Sequence, residues 1–281
     1  TADGKPTHGT LPDAGQVSIS YGGDGSSTWS YADGTVVQRN AAGDVTYERT
    51  GDGASFDAFT ADGKPTHGTL PDAGQVSISY GGDGSSTWSY ADGTVVQRNA
   101  AGDVTSERTG DGASFDAFTS DGKPTHGTLP GGDGAGAQQV SISYGGDGSS
   151  TWSYADGTVV QRNAAGDVTY EKTRDGASFD AFTADGKPTH GTLPDAGQVS
   201  ISYGGDGSST WNYADGTIVQ RNAAGDVTYE KTGDGASFDA FSGDGRPTHG
   251  VVGGQEVTIG YNADGSSTWT YADGTVSVQD A

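Results

Sequence analysis

The chain has 281 residues, among them 50 Gly, with no Cys and no Met, and its 14 Lys and Arg against 37 Asp and Glu give a formal net charge of −23. Such a charge excludes nucleic acid and anionic membrane surfaces as partners, and the missing cysteine excludes disulfides, thiolate nucleophiles and Cys-type zinc sites. No apolar run approaches the length of a membrane-crossing helix, so no membrane insertion is expected.

The aromatic residues, 5 Trp, 13 Tyr and 8 Phe, recur at fixed places, which disordered segments lack. The five histidines, His8, His67, His126, His190 and His249, stand 59, 59, 64 and 59 residues apart. Trp29, Trp88, Trp152, Trp211 and Trp269 follow the same period. The copies run 1–59, 60–118, 119–182, 183–241 and, partial and divergent, 242–281. The third carries an insertion within 130–139, rich in Gly, Ala, Asp and Gln, that reads as an outward loop. The last replaces the usual segment with Val-Val-Gly-Gly-Gln-Glu-Val-Thr-Ile at 251–259, as a terminal repeat would.

Along the first copy, Val17, Ile19 and Tyr21 alternate with serine, which places them on one face of a strand. Residues 27–31 and 35–39 flank Ala-Asp-Gly at 32–34 and read as a hairpin, because glycine accepts positive φ and Asp bonds the neighbouring backbone. After Ala-Gly-Asp at 42–44, a second hairpin runs through 45–49, a turn at 51–53, and 54–59. A third runs from 65–68 through the turn at 71–74 into 76–80. Gly or Pro interrupts every eight to twelve residues, which defeats helices. The fold class expected is all-β: tandem β-hairpin repeats in an elongated, twisted antiparallel spiral or solenoid-like sheet. Too little apolar surface per copy to offset the ordering of its backbone predicts that neighbouring copies must stack.

The segments Arg-Asn-Ala-Ala-Gly-Asp-Val-Thr-Tyr at 39–47 and Phe-Asp-Ala-Phe-Thr-Ala-Asp-Gly-Lys-Pro-Thr at 56–66 resemble the Rhs, or YD-repeat, pattern. That resemblance implies hairpins wound into a long spiralling sheet in a bacterial surface protein. The sequence departs from the pattern where Ala32 separates Tyr31 from Asp33, and in the third hairpin of each copy, which has no such core.

Histidine is the obvious candidate base, but each lies between Thr and Gly with no Cys and no serine elbow beside it, so no catalytic residue is assigned. The Asp-Gly clusters lack the spacing of a calcium loop and read as turns, so no metal or cofactor is assigned. The pairs Trp29 and Tyr31, Trp88 and Tyr90, Trp152 and Tyr154, Trp211 and Tyr213, and Trp269 and Tyr271 read as the core. The alternative is a ladder that stacks on ligand rings.

The function expected is a non-catalytic, structural, extracellular or cell-surface segment of a bacterial fibre, stalk or filament. A glycan- or receptor-binding adhesin module that uses exposed aromatics is the alternative. The first residues already belong to the repeat, so the partner expected at the N-terminal edge is an upstream repeat or another subunit, with self-association into filaments.

Overall fold

The computed structural model describes residues 1–12, 15–131 and 136–280. These form 28 strands and no helix. Two compact units divide the chain, Thr1–Ser141 and Ile142–Ala281. The first holds β1 (His8–Leu11), β2 (Gly15–Tyr21), β3 (Ser27–Tyr31), β4 (Val36–Arg39), β5 (Val45–Arg49), β6 (Ser55–Phe59) and β7 (Pro65–Leu70). It continues with β8 (Gly74–Tyr80), β9 (Ser86–Tyr90), β10 (Val95–Arg98), β11 (Val104–Arg108), β12 (Ser114–Phe118) and β13 (Pro124–Leu129). The next strand, β14 (Gln138–Tyr144), pairs with β13 through Leu129↔Gln138 and Thr128↔Gln139. Gln138 and Gln139 therefore belong to a strand rather than to the expected loop, and residues 132–135 of that loop lie outside the described residues.

The second unit holds β15 (Ser150–Tyr154), β16 (Val159–Arg162), β17 (Val168–Lys172), β18 (Ser178–Phe182), β19 (Pro188–Leu193), β20 (Gly197–Tyr203) and β21 (Ser209–Tyr213). After these come β22 (Ile218–Arg221), β23 (Val227–Lys231), β24 (Ser237–Phe241), β25 (Pro247–Val252), β26 (Gln255–Tyr261), β27 (Ser267–Tyr271) and β28 (Val276–Gln279). Within each unit consecutive strands pair antiparallel, as in β3 with β4, β4 with β5 and β21 with β22.

The turns follow from the sequence. In the turn between β2 and β3, Gly22 N donates to Ser26 O at 2.9 Å, and Gly25 N donates to Gly22 O at 3.1 Å with φ 86° at Gly25. This is a three-residue hairpin loop closed by a glycine in the left-handed region, where a side chain would be strained. The polar residue before the glycine fixes the loop from its side chain. Asp24 Oδ1 accepts from Ser26 N at 3.0 Å and Ser26 Oγ at 2.6 Å, and Asp33 Oδ1 accepts from Thr35 N at 2.9 Å. Asn40 Oδ1 accepts from Ala42 N and Asp44 N, both at 2.9 Å.

One face carries the core. Register aligns Trp29 with Val37, Val37 with Glu48, Glu48 with Phe56, Phe56 with Gly68 and Gly68 with Val76. Val76 is fully buried, and with Ala54, Phe56 and Ile78 it forms a cluster over which Phe59, Leu70, Tyr80, Trp88 and Tyr90 pack. In the second unit Ala177, Phe179, Val199 and Ile201 repeat that cluster under Phe182, Leu193, Tyr203, Trp211 and Tyr213. Phe238, Val257 and Ile259 repeat it again. No polar or charged residue is buried among the described residues.

Two features correct the expected core. The buried residues are Val, Ile, Phe and Ala, while the tryptophans are half-buried and lie over them. With copies counted from residue 1, each cluster also draws on two of them: Ala54 and Phe56 precede residue 60, whereas Val76 and Ile78 follow it. Glycine makes this possible with a single sheet layer. At Gly68 an added Cβ would lie 2.3 Å from Ser55 O and 2.5 Å from Phe56 Cδ1, so the ring occupies the space that a side chain on β7 would take. In the fourth such place, where Phe238 pairs with Gly250, the Phe238 ring meets the Trp269 ring edge-on at 6.3 Å. Phe238 lies on β24 and Trp269 on β27, and the Trp269 ring packs on the cluster that Phe238 forms with Val257 and Ile259.

Candidate functional site

The sheet brings four of the Trp–Tyr pairs beside aliphatic residues of the preceding strand, as through Ile19↔Trp29 and Val17↔Tyr31 and through Ile78↔Trp88 and Val76↔Tyr90. The indole N–H of Trp29 donates to Ser27 Oγ at 3.2 Å, and Trp88, Trp152, Trp211 and Trp269 make the same bond to the serine two residues before them. The Arg39 guanidinium lies 5.9 Å from the Trp29 ring centre, and that of Arg98 lies 5.8 Å from the Trp88 ring centre. In these two copies a cation covers the ring that a stacking ligand would need. Tyr154 is half-buried, and burial raises its hydroxyl pKa. The other tyrosines of the pairs are likewise half-buried, with Tyr90, Tyr213 and Tyr271 packed on the clusters.

The sequence marks the histidines as candidate bases but not the carboxylates that face them. His67 Nδ1 lies 2.6 Å from Asp57 Oδ1, His126 Nδ1 2.6 Å from Asp116, His190 Nδ1 2.6 Å from Asp180, and His249 Nδ1 2.7 Å from Asp239. Each pair crosses from one copy to the next. The carboxylate stands ten residues before the histidine, and a register shift between Phe56 and Ala58 aims Asp57 at the ring. The signal was present in sequence as Phe-Asp-Ala-Phe preceding Pro-Thr-His in four copies. His8 has Thr7 Oγ1 as its neighbour instead, at 3.2 Å.

Holding Nδ1 against a carboxylate orients the ring and leaves Nε2 outward. The pairs are open to solvent, with the His67 side chain 41% and the Asp57 side chain 62% exposed. Among the described residues no hydroxyl or amine hydrogen-bonds the second ring nitrogen, so the pair lacks the third group of a nucleophilic triad. His249 has its pKa raised, first by the hydrogen bond to Asp239 and then by the charges of Asp239 and Glu256, against desolvation. The turn carboxylates shift the other way. Ser26 hydrogen bonds hold Asp24 below its ordinary value, and Ser85, Ser208 and Ser266 do the same for Asp83, Asp206 and Asp264. Among the described residues no three His, Asp or Glu side chains gather into a metal site.

No family model and no curated protein matches the chain. Solved structures with which it superposes include the TCP10 domain of Danio rerio CPAP in complex with a peptide of Danio rerio STIL. That structure is 16% identical over 94% of this chain and 99% of that chain, with a TM-score of 0.18. BamB from Moraxella catarrhalis is 12% identical over 94% of this chain and 86% of that one, with a TM-score of 0.18. The C-terminal WD40 domain of Sif2 is 14% identical over 94% of this chain and 67% of that one, with a TM-score of 0.15. Superpositions this loose say nothing about what the chain does.

Proposed function

We propose that the chain is a non-catalytic structural repeat, a spacer segment of a fibre, stalk or filament built by recurrence of one apolar cluster per period. The observation that carries this reading is the cluster of Ala54, Phe56, Val76 and Ile78 and its repetition at 177–201. The turn side chains bond their own loops and the His–Asp pairs bridge neighbouring strands, so these ordered polar groups serve register. The segments similar to the Rhs pattern support placement at a bacterial surface.

A spacer changes length in equal steps as copies are removed. Since the chain has no cysteine, Gly23→Cys and Gly243→Cys would take one dye each. Neither position has any atom within 4 Å of an added Cβ or needs positive φ. The distance between the dyes, read by energy transfer, is expected to shorten by a constant step when residues 60–118, and then also 183–241, are deleted. A distance indifferent to copy number would overturn the proposal.

A further inference from the structure

A polar concavity recurs in the second unit, and it goes beyond the spacer reading because no turn or strand pairing requires its free groups. It measures about 470 Å³ around Arg162 and about 500 Å³ around Arg221. Two turns that end on the same side of the sheet form its rims. Its floor follows from a bulge, since Gln161 pairs with Tyr170 and Arg162 with Val168, leaving Thr169 opposite neither. A residue displaced in this way is re-aimed out of the pleat, and Thr169 lies in the lining.

Some lining groups are committed and hold the frame. Arg162 Nη1 donates to Gly166 O at 3.0 Å, and Asp147 Oδ1 accepts from Ser149 Oγ at 2.6 Å. Others are uncommitted: among the described residues the Gln161 amide and the Thr151 hydroxyl make no hydrogen bond, and both line the same space as Asp147 and Arg162. These groups offer donors and acceptors side by side with one positive and one negative charge, and no large apolar side chain.

We propose that this concavity is a binding site for an uncharged polyhydroxylated ligand, a neutral sugar unit whose adjacent hydroxyls bridge Asp147, Gln161 and Arg162. An anion would meet the Asp147 carboxylate and the field of a chain carrying −23. An apolar ligand would strand the amide and guanidinium without partners. The sequence Gln-Arg-Asn recurs at 38–40, 97–99, 161–163 and 220–222, whereas the last copy has Val278 and Gln279 at the Gln and Arg positions. Four sites per chain follow, rather than five. An open site of this kind binds weakly, with a Kd on the order of 1 mM, and gains from a polymer that spans several copies.

The test is a titration of the full chain, labelled with ¹⁵N, with maltohexaose, and separately with inorganic phosphate. Expected are saturable shifts of the Gln side-chain amides and Arg Nε–H signals at the four Gln-Arg positions. The shifts should disappear in the variant with Gln38→Ala, Gln97→Ala, Gln161→Ala and Gln220→Ala, whose unchanged strand amide signals report that it remains folded. No shift at roughly tenfold the expected Kd, shifts confined to the indole N–H signals, or tighter response to phosphate would each overturn it.

Discussion

The placement of the clusters across copy boundaries can be tested with two 59-residue fragments of identical composition. Residues 60–118 and residues 42–100 each contain six strands, β7–β12 and β5–β10. With Tyr47→Ser in the second, the two are circular permutants of one another. Residues 42–100 keep Ala54, Phe56, Val76 and Ile78 together with Phe59, Leu70, Tyr80, Trp88 and Tyr90. Residues 60–118 contain Val76 and Ile78 without Phe56, and Phe115 without the strand bearing Gly127 against which it lies. If Val76, Ile78 and Phe115 each lose about half of a full burial worth ~1.5–3 kcal/mol, the 60–118 fragment is weaker by about 2–4.5 kcal/mol. For a chain of this length each kcal/mol moves the melting temperature by roughly 4–8 °C. Circular dichroism melts should show a cooperative transition for 42–100 and a largely unfolded 60–118. Equal melts, or a more stable 60–118, would refute the junction core.

Gly68→Ala should destabilise by about 1–3 kcal/mol, as overpacking does, because its Cβ would press on Ser55 O and the Phe56 ring; Gly23→Ala, with open space around it, should be neutral in the same urea titration. Tyr80→Phe removes the bond from the Tyr80 hydroxyl to Pro65 O at 3.0 Å and should cost about 0.5–1.5 kcal/mol, read from chemical melts. Because the turn aspartates Asp24, Asp83, Asp206 and Asp264 are held below their ordinary 3.8, their contribution is present above that value. It is lost as pH falls through the lowered folded pKa, so Asp83→Asn and Asp206→Asn should flatten the acid limb of a melting-temperature profile. His249 has the opposite sign: its raised pKa makes its contribution complete below about 6.5 and lost as pH rises through the folded value. An NMR titration should show Asp239→Asn lowering that pKa.

Much of the fold was legible because turn chemistry is local. Asp33 and Gly34 lie within a few residues of the groups they bond, so the hairpins could be read directly. The residues that close the core were harder to read, since their partners lie across a boundary that the repeat period does not mark. Gly68 stood out only as part of a recurring Thr-His-Gly, and nothing local says that Phe56 covers it from the neighbouring strand. The aromatics misled for a related reason. Size suggested that Trp29 and Trp88 are the core, whereas the strand alternation of Val76 and Ile78 places smaller side chains deeper and leaves the indoles as a half-exposed roof. Asp57 was hidden by the bulge at Phe56–Ala58, which breaks the strict alternation that would otherwise assign its face and partner.

The most direct test of the central claim, that the cluster of Ala54, Phe56, Val76 and Ile78 is the cooperative unit of the array, is native-state hydrogen exchange on the full chain. Amides of β6, β7 and β8 should open as one unit with a common free energy, spanning residues 55–80 across the boundary at 59 and 60. Exchange that instead groups β7 and β8 with β11 and β12, and separates β6 from β7 at that boundary, would contradict it.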